Sequence, residues 1–418
     1  MHAARRGLSR GPLLAAAGVV LLATWAPLGA EEVWPGVEVL VRERAGELTG
    51  LRVGLLTNPT GVDRRLNSTI DLVRALPGVR LIRLFAPEHG IRGGFYAGER
   101  VDETRDPISG LPVGSLYGST RRPTPQMLAD LDLVLYDIQD VGHRAYTFVS
   151  SLTYMMEACE AAGVEVGVLD RPDPMGGNLV GGPMIVPAWQ SFIGVHAVPQ
   201  VYGMTPAEWA RLIQAERTPR LKLRIYPLKG WRRGMTYGDL GWPWVSPSQH
   251  IPRWETSFFY AMTGTLGELG RLNIGVGTPL PFELIGAPGL DGVGLAERLN
   301  GLGLPGVRFR PCTFTPRYAA FNGQACQGIQ IHLTDVRTAD PSAIQLALMW
   351  GLQESALGRG LFPQPTLAGE PTMFEKALGD PELARTLAEG GNPLDHEDRL
   401  RREVGQFLRR RTRYLIYD

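Results

Sequence analysis

Three carboxyls in the first half of the chain stand where residue type and spacing allow chemistry. Glu88 lies in Pro87-Glu88-His89-Gly90, directly after the apolar run 81–86, and Asp137 and Asp140 follow the run 131–135. Two further runs behave alike: 53–56 leads to Asn58, and 164–169 leads to Asp170 and Arg171. A carboxyl partly withdrawn from water has a raised pKa suited to general-acid work, and a second carboxylate nearby can act as base, nucleophile or electrostatic partner. The same cluster of oxygens could instead hold a metal. Arg171 can clamp a carboxylate through two parallel hydrogen bonds.

These side chains need a scaffold that brings them to one place. Short continuous apolar runs read as strands buried on both faces, which is the pattern of a parallel sheet. Ligands of such sheets bind in the crevice beyond the carboxyl ends of the strands. Asn58, Glu88, His89, Asp137, Asp140, Asp170 and Arg171 therefore share one expected rim. Helical patterns over 66–75, 124–131 and 148–162, the last starting near Thr147 and stopping at Gly163, alternate with the strands. That order predicts a doubly wound α/β sheet. The segment 88–117 is too long for a plain connection and is rich in charge and aromatics, which argues for function.

Around 183–203 the alternation loosens, and a boundary is expected there, with domains over 31–195 and 196–418. Beyond it, 206–216 and 342–357 read as helices, 221–226 and 329–334 as strands, 414–417 as a closing strand, and the remainder as irregular. Trp231, Trp242, Trp244, Trp254, Phe258, Phe259 and Tyr260 could line a sugar platform, Trp242-Pro243-Trp244 being the best surface-facing set.

Each site residue also has a plainer reading. Glu88 could pair with Arg92 in a turn, one Asp could cap a segment or bond Arg144, Arg171 could pair with a rim acid, and His143 could be structural. The histidines lack metal-ligand spacing, Thr57-Asn58-Pro59-Thr60-Gly61 is not a dinucleotide fingerprint, and no G-x-S-x-G elbow precedes a helix.

The 418 residues carry a formal net charge of +1, so no basic stripe points to nucleic acid. Arg5, Arg6 and Arg10 precede an uncharged stretch over 11–30 that ends in small residues, which reads as a cleaved secretory signal over 1–30 rather than a membrane anchor. The mature protein is then expected to be exported, periplasmic or secreted, without stable membrane insertion. Three cysteines fit such a protein without a disulfide framework; Cys312 and Cys326 could pair, leaving Cys159.

Together the motifs resemble the family formerly called DUF1343, exo-β-N-acetylmuramidases of the NamZ type. The resemblance covers nearly the whole mature chain. It rests on Leu55-Leu56-Thr57-Asn58-Pro59-Thr60-Gly61, Pro87-Glu88-His89-Gly90-Ile91-Arg92-Gly93, Leu111-Pro112-Val113-Gly114-Ser115-Leu116-Tyr117-Gly118, Asp137-Ile138-Gln139-Asp140-Val141-Gly142, Leu169-Asp170-Arg171-Pro172 and Tyr414-Leu415-Ile416-Tyr417. One departure is Tyr202-Gly203-Met204-Thr205 where the family has H-G-M-T.

The resemblance implies an N-terminal Rossmann-like domain, a smaller C-terminal α/β domain and a catalytic cleft between them. It also implies release of terminal N-acetylmuramic acid from the non-reducing end of peptidoglycan glycans, with no cofactor and with Glu88 as the favoured catalytic residue. On this reading Glu88 protonates the glycosidic oxygen, and Asp137 or Asp140 is its partner. Carboxyls about 5–5.5 Å apart would retain the anomeric configuration, and about 6.5–9.5 Å would invert it. Tyr146 or Tyr117 is an alternative nucleophile. Asn58, His89, Arg92, Arg144, Tyr146, Asp170 and Arg171 are the expected substrate contacts, with Arg92, Arg144 and Arg171 as candidates for the lactyl carboxylate of muramic acid. The competing classes are a non-catalytic wall-glycan binder and a metal-dependent hydrolase using Glu88, His89, Asp137 and Asp140.

Overall fold

The four apolar runs are neighbouring strands of one sheet. Its strands are β1 (Arg52–Thr57), β2 (Arg80–Ala86), β3 (Thr104–Arg105), β4 (Pro112–Ser115), β5 (Leu133–Asp137), β6 (Glu165–Leu169) and β7 (Leu223–Tyr226), in the order β3-β4-β2-β1-β5-β6-β7. Every pairing is parallel except β3 with β4. This is a computed structural model, which describes residues 32–418 apart from 96–98, 100–103, 119, 356, 359 and 367–368. The signal expected over 1–30 lies outside the described residues.

Strand alternation sends successive side chains to opposite faces, and helices cover both. On one face α1 (Gly36–Glu43) and α2 (Thr69–Arg74) bring Val37, Leu40, Ile70 and Val73 onto Val53, Leu55, Leu84, Leu133 and Leu135. On the other, past the single-turn α3 (Pro125–Leu128), lie α4 (Phe148–Ala162) and α5 (Pro206–Glu216). Their Val149, Leu152, Met156, Leu212 and Ile213 meet Leu56, Phe85, Val134, Tyr136, Val166 and Val168. Each such fully buried side chain contributes about 1.5–3 kcal/mol by leaving water. Helix α4 stops at Gly163, which takes a φ of 70° that other residues adopt only at a cost. Helix α5 starts from a reciprocal Thr205–Glu208 capping box with Pro206 in its first turn.

The second half adds α6 (Thr256–Gly267), β8 (Leu284–Ala287), α7 (Gly292–Gly301), β9 (Val307–Phe314), β10 (Cys326–Leu333), α8 (Pro341–Gln353), α9 (Met373–Leu378), α10 (Pro381–Glu389) and α11 (Glu397–Arg411). Its three strands form a smaller antiparallel sheet, β8-β10-β9. Ile285, Leu295, Ile329, Leu348 and Met349 belong to the same hydrophobic core as α4 and α5. The walls contributed by the two halves are therefore held by shared packing.

Several expectations change. The first sheet takes β7 from beyond residue 195, and much of the region read as irregular is helical. Residues 414–417 form no strand; Tyr417 instead packs edge-on against Trp231, with ring centroids 5.1 Å apart, and its hydroxyl donates to Asp170 at 2.5 Å. Cys312 and Cys326 are free thiols on adjacent strands, where Cys312 faces Gly328 and Cys326 faces Phe314. Among the described residues no helix is long and apolar enough to cross a membrane.

Candidate active site

Glu88 emerges from β2 behind Pro87, whose missing N–H ends the strand's pairing. Its Oε2 accepts a 2.8 Å hydrogen bond from the Thr147 hydroxyl. Thr147 is the N-cap of α4, yet its side chain makes no capping bond, so the hydroxyl that would ordinarily satisfy the helix is turned to the carboxylate. The Tyr117 hydroxyl is also bonded to Glu88; burial first, and then the Glu88 charge, push that phenol up to about 12. His89 follows with φ 70°, an unusual conformation for a residue other than glycine. Its Nδ1 lies 3.0 Å from the Phe95 carbonyl, which holds the buried ring in place.

These residues form one wall of a cleft of about 490 Å³, the scale of a small-molecule site. Tyr146 and Thr147 continue that wall, and Ser248, His250, Tyr260, Glu268, Asn273 and Phe282 supply the other. Tyr260 stands edge-on to His143, Tyr146 and Phe282, with centroids 5.1, 5.5 and 5.0 Å away. His250 stacks on Tyr318 at 5.9 Å with its Nε2 3.1 Å from the hydroxyl, and burial, then the nearby His89, lower its pKa. Glu268 closes the C-terminal end of α6, and burial, then the Glu88 charge, raise its pKa.

Of the residues expected at the site, Glu88, His89 and Tyr146 line this cleft. The other expected contacts are committed elsewhere. Asp137 is sealed at the end of β5, where Arg171 binds both its oxygens at 2.6 and 2.9 Å and the Thr69 hydroxyl donates at 2.5 Å. The Nη2 of Arg171 also donates to the Val62 carbonyl, and neither partner lines the cleft. Asp140 accepts from Gly142 N and the Tyr202 hydroxyl, and burial pushes it up to about 6. Asp170 accepts from Arg171 N, Ala207 N, Thr205 and Tyr417, and burial pushes it up to about 7.

Arg144 is fully buried and donates to the carbonyls of Pro183, Val198, Ala377 and Leu378 at 2.8–3.1 Å, so it staples two segments together. Arg92 holds Asp106 in a bidentate pair, and Asn58 bonds Thr60 and the Pro247 carbonyl; both line a separate cavity of about 240 Å³. Tyr146 and Tyr117, the tyrosines named as alternative nucleophiles, both line the cleft, and burial raises both phenols.

The metal alternative needs Glu88, His89, Asp137 and Asp140 to converge, and the two aspartates are tied up as described. Among the described residues no three His, Cys, Asp or Glu side chains are grouped as a metal site requires. Trp242 and Trp244 pack edge-on against Tyr237, at 6.0 and 4.7 Å, and do not line the cleft. Their loop delivers Ser248 and His250 to it instead.

Fold and cleft define an α/β protein whose carboxylates, imidazoles and aromatic rings suit hydrolytic chemistry on a small polar ligand. Two family models, described as exo-beta-N-acetylmuramidase NamZ, N-terminal and C-terminal, match residues 53–255 and 258–417. The chain belongs to that NamZ family. It is 38% identical over 387 residues to the peptidoglycan beta-N-acetylmuramidase NamZ of Bacillus subtilis (strain 168), covering 92% of each chain. A crystal structure of a DUF1343 family protein from Bacteroides fragilis NCTC 9343 matches with a TM-score of 0.83 at 36% identity, covering 93% of this chain and 99% of that one. A second DUF1343 family protein of the same organism, at TM-score 0.74 and 24% identity with the same coverage, speaks for the fold alone.

Proposed function

We propose that the protein is an exo-acting glycoside hydrolase that releases terminal β-1,4-linked N-acetylmuramic acid from the non-reducing end of peptidoglycan fragments, with Glu88 as a catalytic carboxylate. The observation that carries this reading is the placement of Glu88. In a chain of the NamZ family it alone of the expected acids opens onto the cleft, fixed there by a threonine diverted from capping a helix. The cleft's volume suits the end of a glycan better than its length, and the apolar faces of Tyr146, Tyr260 and Phe282 suit a sugar ring. Action outside the cytoplasm, on stem-free fragments, is part of the proposal and rests on the leader-like residues 1–30 and the family resemblance.

The test is release of an aryl group from a chromogenic β-N-acetylmuraminide and from the matching glucosaminide, by the wild type and by Glu88→Gln. Turnover of the muraminide alone, reduced by about 10³-fold or more in Glu88→Gln, is the expected result. Muramic acid binding without turnover of either substrate would make the protein a wall-glycan binder instead.

A further inference from the structure

Among the described residues the cleft is lined by two carboxyls, and they stand at opposite kinds of helix end. Glu88 meets the N-terminus of the 15-residue α4 through the hydroxyl of its N-cap, Thr147. Glu268 is the C-cap of the 12-residue α6. Helix N-termini favour negative charge and C-termini disfavour it. A glutamate at a helix C-terminus, with no basic residue in the last turn, is a poor choice for stability.

The end of α6 is also cut back to let the cleft form. Gly264 and Gly267 line it, and an added Cβ would meet the Tyr260 ring at 3.1 Å in the first case and Ile274 at 2.4 Å in the second. Asp137 and Asp140, the partners expected for Glu88, are sealed away, so among the described residues Glu268 is the other carboxyl on the lining.

We infer that Glu268 is the proton donor and Glu88 the anionic partner of the reaction proposed above, on which this inference rests. Glu268 gives its proton to the glycosidic oxygen as the C1–O bond breaks and the bonding pair leaves with that oxygen. Glu88 faces the positive charge that develops at the sugar. Water then adds at C1, and the proton it releases returns the pair to its starting state, so one water is consumed per bond. Burial and the neighbouring Glu88 charge both favour the protonated form of Glu268. The other titratable groups on the lining, among the described residues, are His89, His250, Tyr117, Tyr146 and Tyr260.

The two roles separate by leaving group. A muramyl disaccharide leaves as a poor alkoxide and needs the proton donor; an aryl muraminide with an acidic phenol hardly does. In Glu268→Gln, kcat/KM for the disaccharide is expected to fall about 10²–10⁴-fold while the activated aryl substrate stays within about tenfold of wild type. The alkaline limb of the disaccharide pH profile should disappear with it. Glu88→Gln should lose both substrates alike. Glu268 ends its helix and keeps part of its surface in solvent where the cleft opens, so the variant should melt with the wild type. Equal losses on both substrates in Glu268→Gln, or undiminished disaccharide hydrolysis, would overturn the assignment. An inactive wild type would remove the glycosidase reading itself, and this inference with it.

Discussion

Beyond β1 and β5 the carboxylate is sealed, whereas beyond β2 it is open. The sheet order turns at β1, from which the chain builds outward through β2 on one side and β5 on the other, and such a switch point is where parallel sheets ordinarily bind ligands. Here Asp137, Arg171 and Thr69 fill it with an ion pair whose side chains are 0 and 5% exposed. Next door, Glu88 lines the cleft wall, held by the hydroxyls of Thr147 and Tyr117, and faces a second wall from α6 and the loops around it. Two acids at the carboxyl ends of strands, Asp137 closing β5 and Glu88 two residues past β2, thus serve different ends: one fastens the crevice, and the other lines the cleft.

The comparison is broken most forcefully at the sealed end. Asp137→Ala leaves Arg171 charged, buried and unpaired, and should lower the unfolding free energy by about 3–5 kcal/mol, read from urea denaturation. Replacing both partners, as Asp137→Leu with Arg171→Met, should recover part of that loss, since an apolar pair removes the stranded charge. Glu88→Gln should behave in the opposite way, abolishing turnover of the muraminide while the urea midpoint barely moves. If Asp137→Ala were instead stable and inactive, the crevice would be the site.

Much of this was legible from residue order. The apolar runs gave β1, β2, β5 and β6, and Gly163 marked the end of α4. What sequence could not supply was the choice among rim acids, because Asp137 and Arg171 meet across 34 residues and only tertiary packing says which acid the arginine takes. An ion pair between Arg171 and a rim acid was a stated alternative, and it is the one the fold uses. The opposite wall was harder. Helix α6 is buried on nearly every side, so it carries no amphipathic stripe and reads as irregular. Glu268 and His250 belong to that region and follow no strand, so the strand-end rule that singled out Glu88 passes over them. The Trp-Pro-Trp loop was the nearest signal, and it pointed to the segment while misassigning the residues.

A smaller effect sharpens the open end. Thr147→Val keeps the shape of a buried side chain and removes the hydroxyl that donates to Glu88. A hydrogen bond to a charged group contributes about 1.5–3 kcal/mol, so kcat should fall between roughly tenfold and a hundredfold, with KM moving less. Because this hydroxyl does not cap α4, thermal stability should hardly change. A variant that unfolds early but keeps its kcat would return Thr147 to an ordinary capping role.

The gentlest probe is pH, applied to the sealed region through Asp173. Asp173 packs so close to Gly142 that a Cβ there would lie 2.5 Å from its Oδ1, and burial, with Asp140 adding to it, pushes its carboxyl up to about 8. Asp170 is pushed up to about 7, and His143 down to about 3. A carboxyl raised by folding holds its proton in the native state, so its contribution is full below the ordinary value near 4 and is lost as pH climbs through the native one. A histidine lowered by folding behaves oppositely, and its contribution is lost as pH falls below about 6.5. Between pH 6.5 and 8 the buried carboxyls therefore act without opposition from His143, and stability should decline as pH rises, by about 1–2 kcal/mol for Asp173. Asp173→Asn keeps an oxygen to accept from Met175 N and should flatten that decline in melting temperature. An unchanged slope in the variant would mean that Asp173 is already ionised at pH 6.5, and that the carboxylates behind the cleft are balanced by charge rather than by protons.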